Sequence, residues 1–385
     1  MEIKRKVRVG MIGYKFMGKA HSHAYRDLPF FFDGAVEPVL QTIVGRDEHS
    51  VRLAADKLGW LSYETDWRRL LERDDIDVVD IGTPNESHAE IAIAAAKAGK
   101  HVLCEKPLAM SAEEAKRMWT AADKAGIVHM ICHNYRFVPA IQYAKRLITE
   151  GLLGDIHHFR AQYLQDWVSD PAYPHVWRLR KEHSGSGALG DLMSHSIDLG
   201  RYLVGEISEV SGRLDTFVRY RPSGSEQDGS GTSGNEMLEV NVDDAASALI
   251  RFENGAAGVL EATRFAKGNR NGNRIEINGS KGSLRWEMDR MNTLELYLEN
   301  DPLGMQGFRS IDCTEDCHPY TAAYWPAGHP IGYEHSFIHL IHEFMKGVST
   351  KVSPSPNFED GYRNQVVLDG IAQSAETGAT VKLTY

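Results

Sequence analysis

The stretch Val7–Gly18, VRVGMIGYKFMG, constrains the fold of this 385-residue chain more than any other segment. Its first half is apolar enough for a buried strand, and its second half is broken by glycine before a helical pattern begins. Gly13 and Gly18 stand at the first and last glycine positions of G-x-G-x-x-G. There the first glycine permits a tight turn, the last lets the helix pack on the strand, and a pyrophosphate rests on the helix N-terminus. Lys15 replaces the middle glycine, so its side chain must turn away for the main chain to reach a phosphate. A glycine turn that serves no nucleotide has the same local pattern, and the surrounding chain must decide between the two.

The next hundred residues alternate apolar runs with helical patterns. The runs are Val7–Ile12, Val39–Val44, Val78–Ile81, His101–Cys104 and Ile127–Cys132. Between them, Phe16–Leu28, Val51–Leu58, Ser87–Ala98 and Ala112–Ala125 read as helices, the third closed by Gly99. Such alternation predicts a doubly wound parallel sheet with ligands at the carboxyl ends of its strands. Beyond Cys132 the pattern changes. Pro139–Glu150 reads as an amphipathic helix, Ile156–Trp167 as a strand and Ala188–Leu203 as a helix, followed by longer strands with hairpin chemistry at Asn254-Gly255 and Asn278-Gly279. Tyr333–Met345 and Asp360–Ala375 read as closing helices. The expectation is an α/β protein of two domains: residues 1–133, a dinucleotide-binding Rossmann domain, and residues 134–385, an α/β substrate domain with an antiparallel or mixed sheet. The nearly apolar-free Pro222–Asn235 reads as a mobile loop between two strands.

Charge and composition narrow the partners. With 43 basic against 53 acidic residues the net charge is −10, which argues against nucleic acid or an anionic membrane. No apolar run reaches membrane-spanning length and the start lacks a signal segment, so a cytoplasmic protein is expected. Cys104, Cys132, Cys313 and Cys317 read as structural thiols. Cys313-x-x-x-Cys317-His318 offers too few ligands for zinc, and no metal is expected.

Two segments carry candidate chemistry. Glu105-Lys106-Pro107 follows directly on an apolar strand, where a partly desolvated lysine can hydrogen-bond a hydroxyl or move a proton; a solvated strand-end lysine is the alternative. In Gly187-Ala188-Leu189-Gly190-Asp191-Leu192-Met193-Ser194-His195-Ser196-Ile197-Asp198, a helix puts Asp191 and His195 on one face. An imidazole beside a carboxylate suits proton exchange near neutral pH, although a surface ion pair has the same spacing. Upstream, Tyr163, Gln165, Trp167, Trp177 and Arg178 offer flat rings and hydrogen-bonding groups that suit a sugar; core packing is the alternative.

Together the fingerprint, the Thr83-Pro84-Asn85 turn with His88, Glu105-Lys106-Pro107 and the GALGDLMSHSID helix resemble the glucose–fructose oxidoreductase / inositol dehydrogenase / rhizopine catabolism (Gfo/Idh/MocA) family. The resemblance spans nearly the whole chain. Tyr163–Trp167, Arg201–Glu206, His318–Tyr320, Trp325–Ala327 and Pro330–Tyr333 look most like its pyranose-oxidising members. It implies a Rossmann domain followed by a large open, mostly antiparallel sheet used in dimers or tetramers, and oxidation of a ring secondary alcohol of a sugar or cyclitol. It also implies that Lys106 contacts the reacting hydroxyl, His195 is the general acid/base, and Asp191 binds substrate or steers the histidine. Gly13, Phe16, Met17, Arg46, Thr83, Asn85, His88, Glu105, Lys106 and Asn134 would line the cofactor; Lys106, Tyr163, Gln165, Trp167, Trp177, Arg178, Asp191 and His195 would line the substrate.

Two departures bear on the cofactor. Lys15 leaves the phosphate contact open, and the second strand ends Val44-Gly45-Arg46-Asp47 without the usual acidic residue for a ribose hydroxyl. Gly45-Arg46 would accommodate the 2′-phosphate of NADP. Alternatively Arg46 stacks on adenine while Asp47 reaches the ribose of NAD, the cofactor the resemblance favours. The leading expectation is an NAD(P)-dependent dehydrogenase of a pyranose, anhydrosugar or cyclitol, acting at C3 or another ring carbon. Redox-assisted glycoside cleavage and a nucleotide-sensing regulator are the alternatives.

Overall fold

The computed structural model describes residues 5–224 and 233–385. The chain forms two compact units: the described residues up to Val138 with Ala323–Trp325 and Ile331–Arg363, and the described residues of Pro139–Ala322 with Pro326–Pro330 and Asn364–Tyr385. The helix Tyr333–Thr350, far along in sequence, thus belongs with the first unit.

In the first unit, β1 (Arg5–Ile12), β2 (Val36–Val44), β3 (Ser62–Glu64), β4 (Val78–Ile81), β5 (His101–Cys104) and β6 (His129–Ile131) form one sheet. Its order is β3-β2-β1-β4-β5-β6 and every pair is parallel. Strand order reverses beside β1, which places the fingerprint turn at the topological switch point where such sheets bind ligands. Residues Val78–Ile81 are all buried, as a strand covered on both faces requires. β3 and the helix Trp67–Leu71 escape the sequence reading because three and five residues are too few to show a period. The helix Glu48–Leu58 begins before its apolar pattern does, because the Asp47 side chain accepts the Ser50 N–H at 2.8 Å and caps it.

In the second unit, β7 (Ile156–Leu164), β8 (Ile207–Asp215), β11 (Ala245–Phe252), β12 (Ala257–Thr263), β13 (Gly272–Gly279), β14 (Gly282–Glu287), β15 (Thr293–Leu298), β16 (Arg309–Asp312) and β17 (Val381–Lys382) form a nine-stranded sheet, while β9 (Tyr220–Gly224) and β10 (Ser233–Glu239) form a separate hairpin. The order is β16-β15-β14-β13-β7-β12-β11-β8-β17, with β7 and β12 parallel and the other pairs antiparallel. Burial alternates strictly along β11 and β12, so one face is core and the other open. Gly255, at φ +90°, makes the turn between them as expected. Asn278 and Gly279 do not make the next turn: both lie in β13, Asn278 pairs with Ser283, and the chain reverses at Ser280-Lys281. The segment read as a mobile loop does join two strands, but residues 225–232 lie outside the described residues. Among the described residues no helix is long and apolar enough to cross a membrane.

Candidate active site

The carboxyl ends of the parallel strands are laced together by main-chain hydrogen bonds. Gly13 N–H donates to Val44, Gly82 N–H to Ile12 and Glu105 N–H to Ile81, at 2.9–3.0 Å. Gly13 has φ +109°, and a Cβ there would lie 2.6 Å from the Gly82 oxygen; a Cβ on Gly18 would lie 2.3 Å from the Gly13 oxygen. Both positions therefore demand glycine, as the fingerprint requires. Lys15 occupies the N-cap of the helix Phe16–Phe31 without capping it through its side chain, and the first turn carries no acidic residue. The cradle and the sterically open helix end both fit a dinucleotide phosphate. Beside them, Phe16 is 63% exposed, Met17, Thr83 and Asn85 are half-buried, and Arg46 is exposed. Asp47, offered above as a ribose ligand, spends one oxygen on its helix cap.

His88, Glu105 and Asn134, expected to line the cofactor, lie behind this surface. The His88 ring is wholly buried between the carbonyl oxygens of Thr83 and Pro107, 3.0 Å from each, and in its neutral form donates to one of the two. Burial lowers its pKa. Glu105 faces His21 with one oxygen and accepts the Lys106 N–H with the other, and the Asn134 amide donates to Ser336 Oγ at 2.8 Å. Lys106 is half-buried, and the Lys106–Pro107 bond is cis.

The second unit carries the remaining candidates. Leu189–Met193 is a π-helical turn that continues as the α-helix Ser194–Leu203, so the stretch expected as one α-helix changes register between Asp191 and His195. Asp243 fastens its start, accepting Gly187 N–H at 2.7 Å and Leu189 N–H at 2.8 Å with its carboxylate and Ala188 N–H with its carbonyl. Burial raises the Asp243 pKa, opposed by Arg264 and these N–H donors. A Cβ on Gly187 would sit 1.7 Å from the Asp243 oxygen, which explains the motif's leading glycine. Arg264, with no exposed surface, donates to the Asp243 carbonyl, lies 3.9 Å from the Asp191 carboxylate and reaches over Trp167 at 5.5 Å.

His195 is 7% exposed and its ring lies 5.7 Å from that of Tyr163. The Tyr163 hydroxyl and the Gln165 amide both donate to Asn271 Oδ1, at 2.7 and 2.9 Å. Asp198 is buried and accepts from Asn364, whose own oxygen accepts from Arg201; it anchors the helix. Trp177 and Arg178 stack, the guanidinium 4.4 Å from the ring centroid. Their loop is held by Arg221, which donates to the carbonyls of Val168, Asp170 and Tyr173, and by His175, whose N–H donates to Pro222. Asp243, Arg264, Asn271 and Arg221 escape sequence reasoning. The one visible signal was the pair Asp243-Asp244 just before an alternating strand.

The four cysteines are unpaired. Cys317 is exposed, whereas burial pushes the Cys313 thiol up to about 12.

Residues 7–133 match the family model described as an oxidoreductase family with an NAD-binding Rossmann fold, and residues 141–285 match that of the GFO/IDH/MocA C-terminal domain. The chain belongs to the Gfo/Idh/MocA family of oxidoreductases. It is 44% identical to levoglucosan dehydrogenase of Pseudarthrobacter phenanthrenivorans over 96% of both chains, and 27% identical to myo-inositol 2-dehydrogenase of Thermotoga maritima over 98% of both. Its structure is similar to that of levoglucosan dehydrogenase in complex with NADH and levoglucosan, with TM-score 0.93 and 43% identity over 99% of this chain and 100% of that one. An oxidoreductase domain protein from Kribbella flavida superposes with TM-score 0.94 at 49% identity, over 99% and 100% of the two chains. Membership makes the first unit an NAD-binding domain, in agreement with its glycine cradle.

Proposed function

We propose that this enzyme oxidises a ring secondary hydroxyl, at C3 or another ring carbon, of levoglucosan or a closely related anhydrosugar, pyranose or cyclitol, with NAD as acceptor. The observation that carries this reading is the identity with levoglucosan dehydrogenase along nearly the full length of both chains. The residues support it: Gly13, Phe16, Met17, Thr83 and Asn85 would hold the dinucleotide, while Tyr163, Gln165, Trp167, Trp177 and Arg178 offer the rings and polar groups a pyranose needs.

Hydride acceptance from the carbinol carbon is the chemistry that NAD supplies when bound. The chain manages the rest. Lys106 hydrogen-bonds the reacting hydroxyl, His195 takes its proton as the carbonyl forms, and Asp191, steadied by Arg264, binds a neighbouring hydroxyl or steers the imidazole. Four unpaired thiols suit a cytoplasmic enzyme, and the open face of the nine-stranded sheet, with Leu249 and Val259 exposed, suits a homo-oligomer.

Purified protein incubated with levoglucosan, pyranoses and inositols, each with NAD or NADP, tests the reading. Growth of the reduced-nicotinamide absorbance is expected with levoglucosan and NAD. No turnover with any anhydrosugar, pyranose or cyclitol would overturn it.

A further inference from the structure

Behind Glu105-Lys106, His21 on the helix Phe16–Phe31 is held between two carboxylates. Its Nδ1 lies 2.9 Å from both oxygens of Asp80 in β4, and its Nε2 lies 3.1 Å from Glu105 just past β5. His21 and Asp80 have no exposed surface and Glu105 has 4%. Cys132, just past β6, also faces the ring, Tyr25 on the same helix faces Asp80, and the Phe337 ring of the helix Tyr333–Thr350 packs at 5.4 Å.

A neutral imidazole has a single N–H, so one carboxylate would confront a bare nitrogen lone pair in a dry interior. Only the imidazolium donates to both. Burial works against that charge, but the Asp80 carboxylate beside the ring outweighs it and holds the His21 pKa well above its ordinary value. The second Glu105 oxygen accepts the main-chain N–H of Lys106 at 3.1 Å. Asp80, His21, Glu105 and the Lys106 backbone therefore form one unbroken polar chain. The fingerprint helix is thereby fastened to the strand end that carries the lysine.

We propose that His21 is a positioning residue: as an imidazolium clamped by Asp80 and Glu105, it fixes the Lys106 main chain so that its ammonium meets the reacting hydroxyl in one orientation. The inference rests on the role proposed for Lys106. It competes with a different use of the same atoms, since ligand atoms of His21, Glu105 and Cys132 lie within 4.8 Å of one another and are types that hold zinc.

Nitrogen-15 histidine NMR of the wild-type protein tests the clamp without any substrate, so its outcome is independent of the sugar assignment. The His21 resonances are assigned with His21→Gln, or with Asp80→Asn if the first variant does not fold. Both ring nitrogens are expected to be protonated at neutral pH, where an ordinary imidazole has lost one proton. A bare nitrogen at neutral pH, or a stoichiometric metal found by elemental analysis, would overturn the proposal. Kinetics test the consequence. Well below its melting temperature, His21→Gln is expected to lose about 10–100-fold in kcat with little change in KM, because small misplacements of a reacting group cost that much. Its NADH affinity is expected to stay within about threefold of wild type. A kcat within about twofold of wild type would show that His21 only packs the interior.

Discussion

The carboxylate of Asp243 accepts the main-chain N–H groups of Gly187 and Leu189 at 2.7 and 2.8 Å, fastening the turn that carries Asp191. Asp243→Asn keeps the shape but leaves one buried N–H facing an amide group instead of an oxygen. A destabilisation of about 1–3 kcal/mol is expected in urea unfolding. Gly187→Ala has no room for its methyl beside the Asp243 carbonyl, and a cost of about 1–3 kcal/mol or more is expected from the same measurement.

The buried Arg264 guanidinium lies 3.9 Å from the Asp191 carboxylate. Arg264→Met preserves bulk and removes the charge. The expected result is a fall in kcat/KM for the sugar of about 10-fold or more, from loss of the charge that faces Asp191, while NADH affinity holds. Steady-state kinetics and NADH fluorescence titration check the two halves.

Lys106→Ala and His195→Ala are expected to lose about 100–10,000-fold in kcat, the usual share of a positioned acid or base, and to retain nucleotide binding. Single-turnover measurements with saturating NAD would reveal near-normal rates in either variant and so refute its role.

Asn271 Oδ1 is the common acceptor for Tyr163 and Gln165. Asn271→Ala frees both donors to reorient. A rise in sugar KM of about 5–10-fold is expected, in line with about 1 kcal/mol for a lost hydrogen bond, with a smaller change in kcat. An unchanged KM would remove this trio from the substrate wall.

His339 is wholly buried with Nδ1 2.8 Å from the Phe137 carbonyl, and burial lowers its pKa to about 3 from the ordinary 6.5. The unfolded chain therefore binds a proton below pH 6.5 that the folded protein refuses until about pH 3. Stability from this group is complete above the higher value and is lost as pH falls between the two, by up to about 1.4 kcal/mol per pH unit. His339→Asn keeps a donor toward Phe137 and cannot titrate. Urea unfolding of both proteins at several acidic pH values should show a shallower decline in the variant.

The parallel sheet and its glycine turn were legible because buried strands and helices of ten residues or more leave a clear period, and because Gly13 and Gly18 answer to steric demands stated in the motif itself. Lys106, Asp191 and His195 stood out in the sequence because they are chemically capable groups at or near element ends. What holds them was not. Asp243 and Arg264 act on the Gly187–Asp191 turn from positions more than fifty residues away, and nothing local marks an aspartate as a cap for a distant helix. His88 and Glu105 illustrate the converse. Their motifs read as cofactor contacts, and nothing in the sequence pointed to their buried partners: two carbonyl oxygens for His88, and His21 for Glu105. The Asn278-Gly279 turn failed for another reason: β13 runs on through both residues, so pairing with β14 overrode local turn chemistry.

Arg221 grips the loop that carries Trp177 and Arg178 entirely through carbonyl oxygens. Apart from the Asp170 and Tyr173 side chains, which also act on the guanidinium, such a grip does not depend on which side chains the loop carries. Retargeting the enzyme to a different sugar should therefore begin with saturation libraries at 167, 177 and 178, which leave the staple intact. Because Arg221 lies on β9, outside the loop, a whole loop of the same length taken from a relative should meet the same grip.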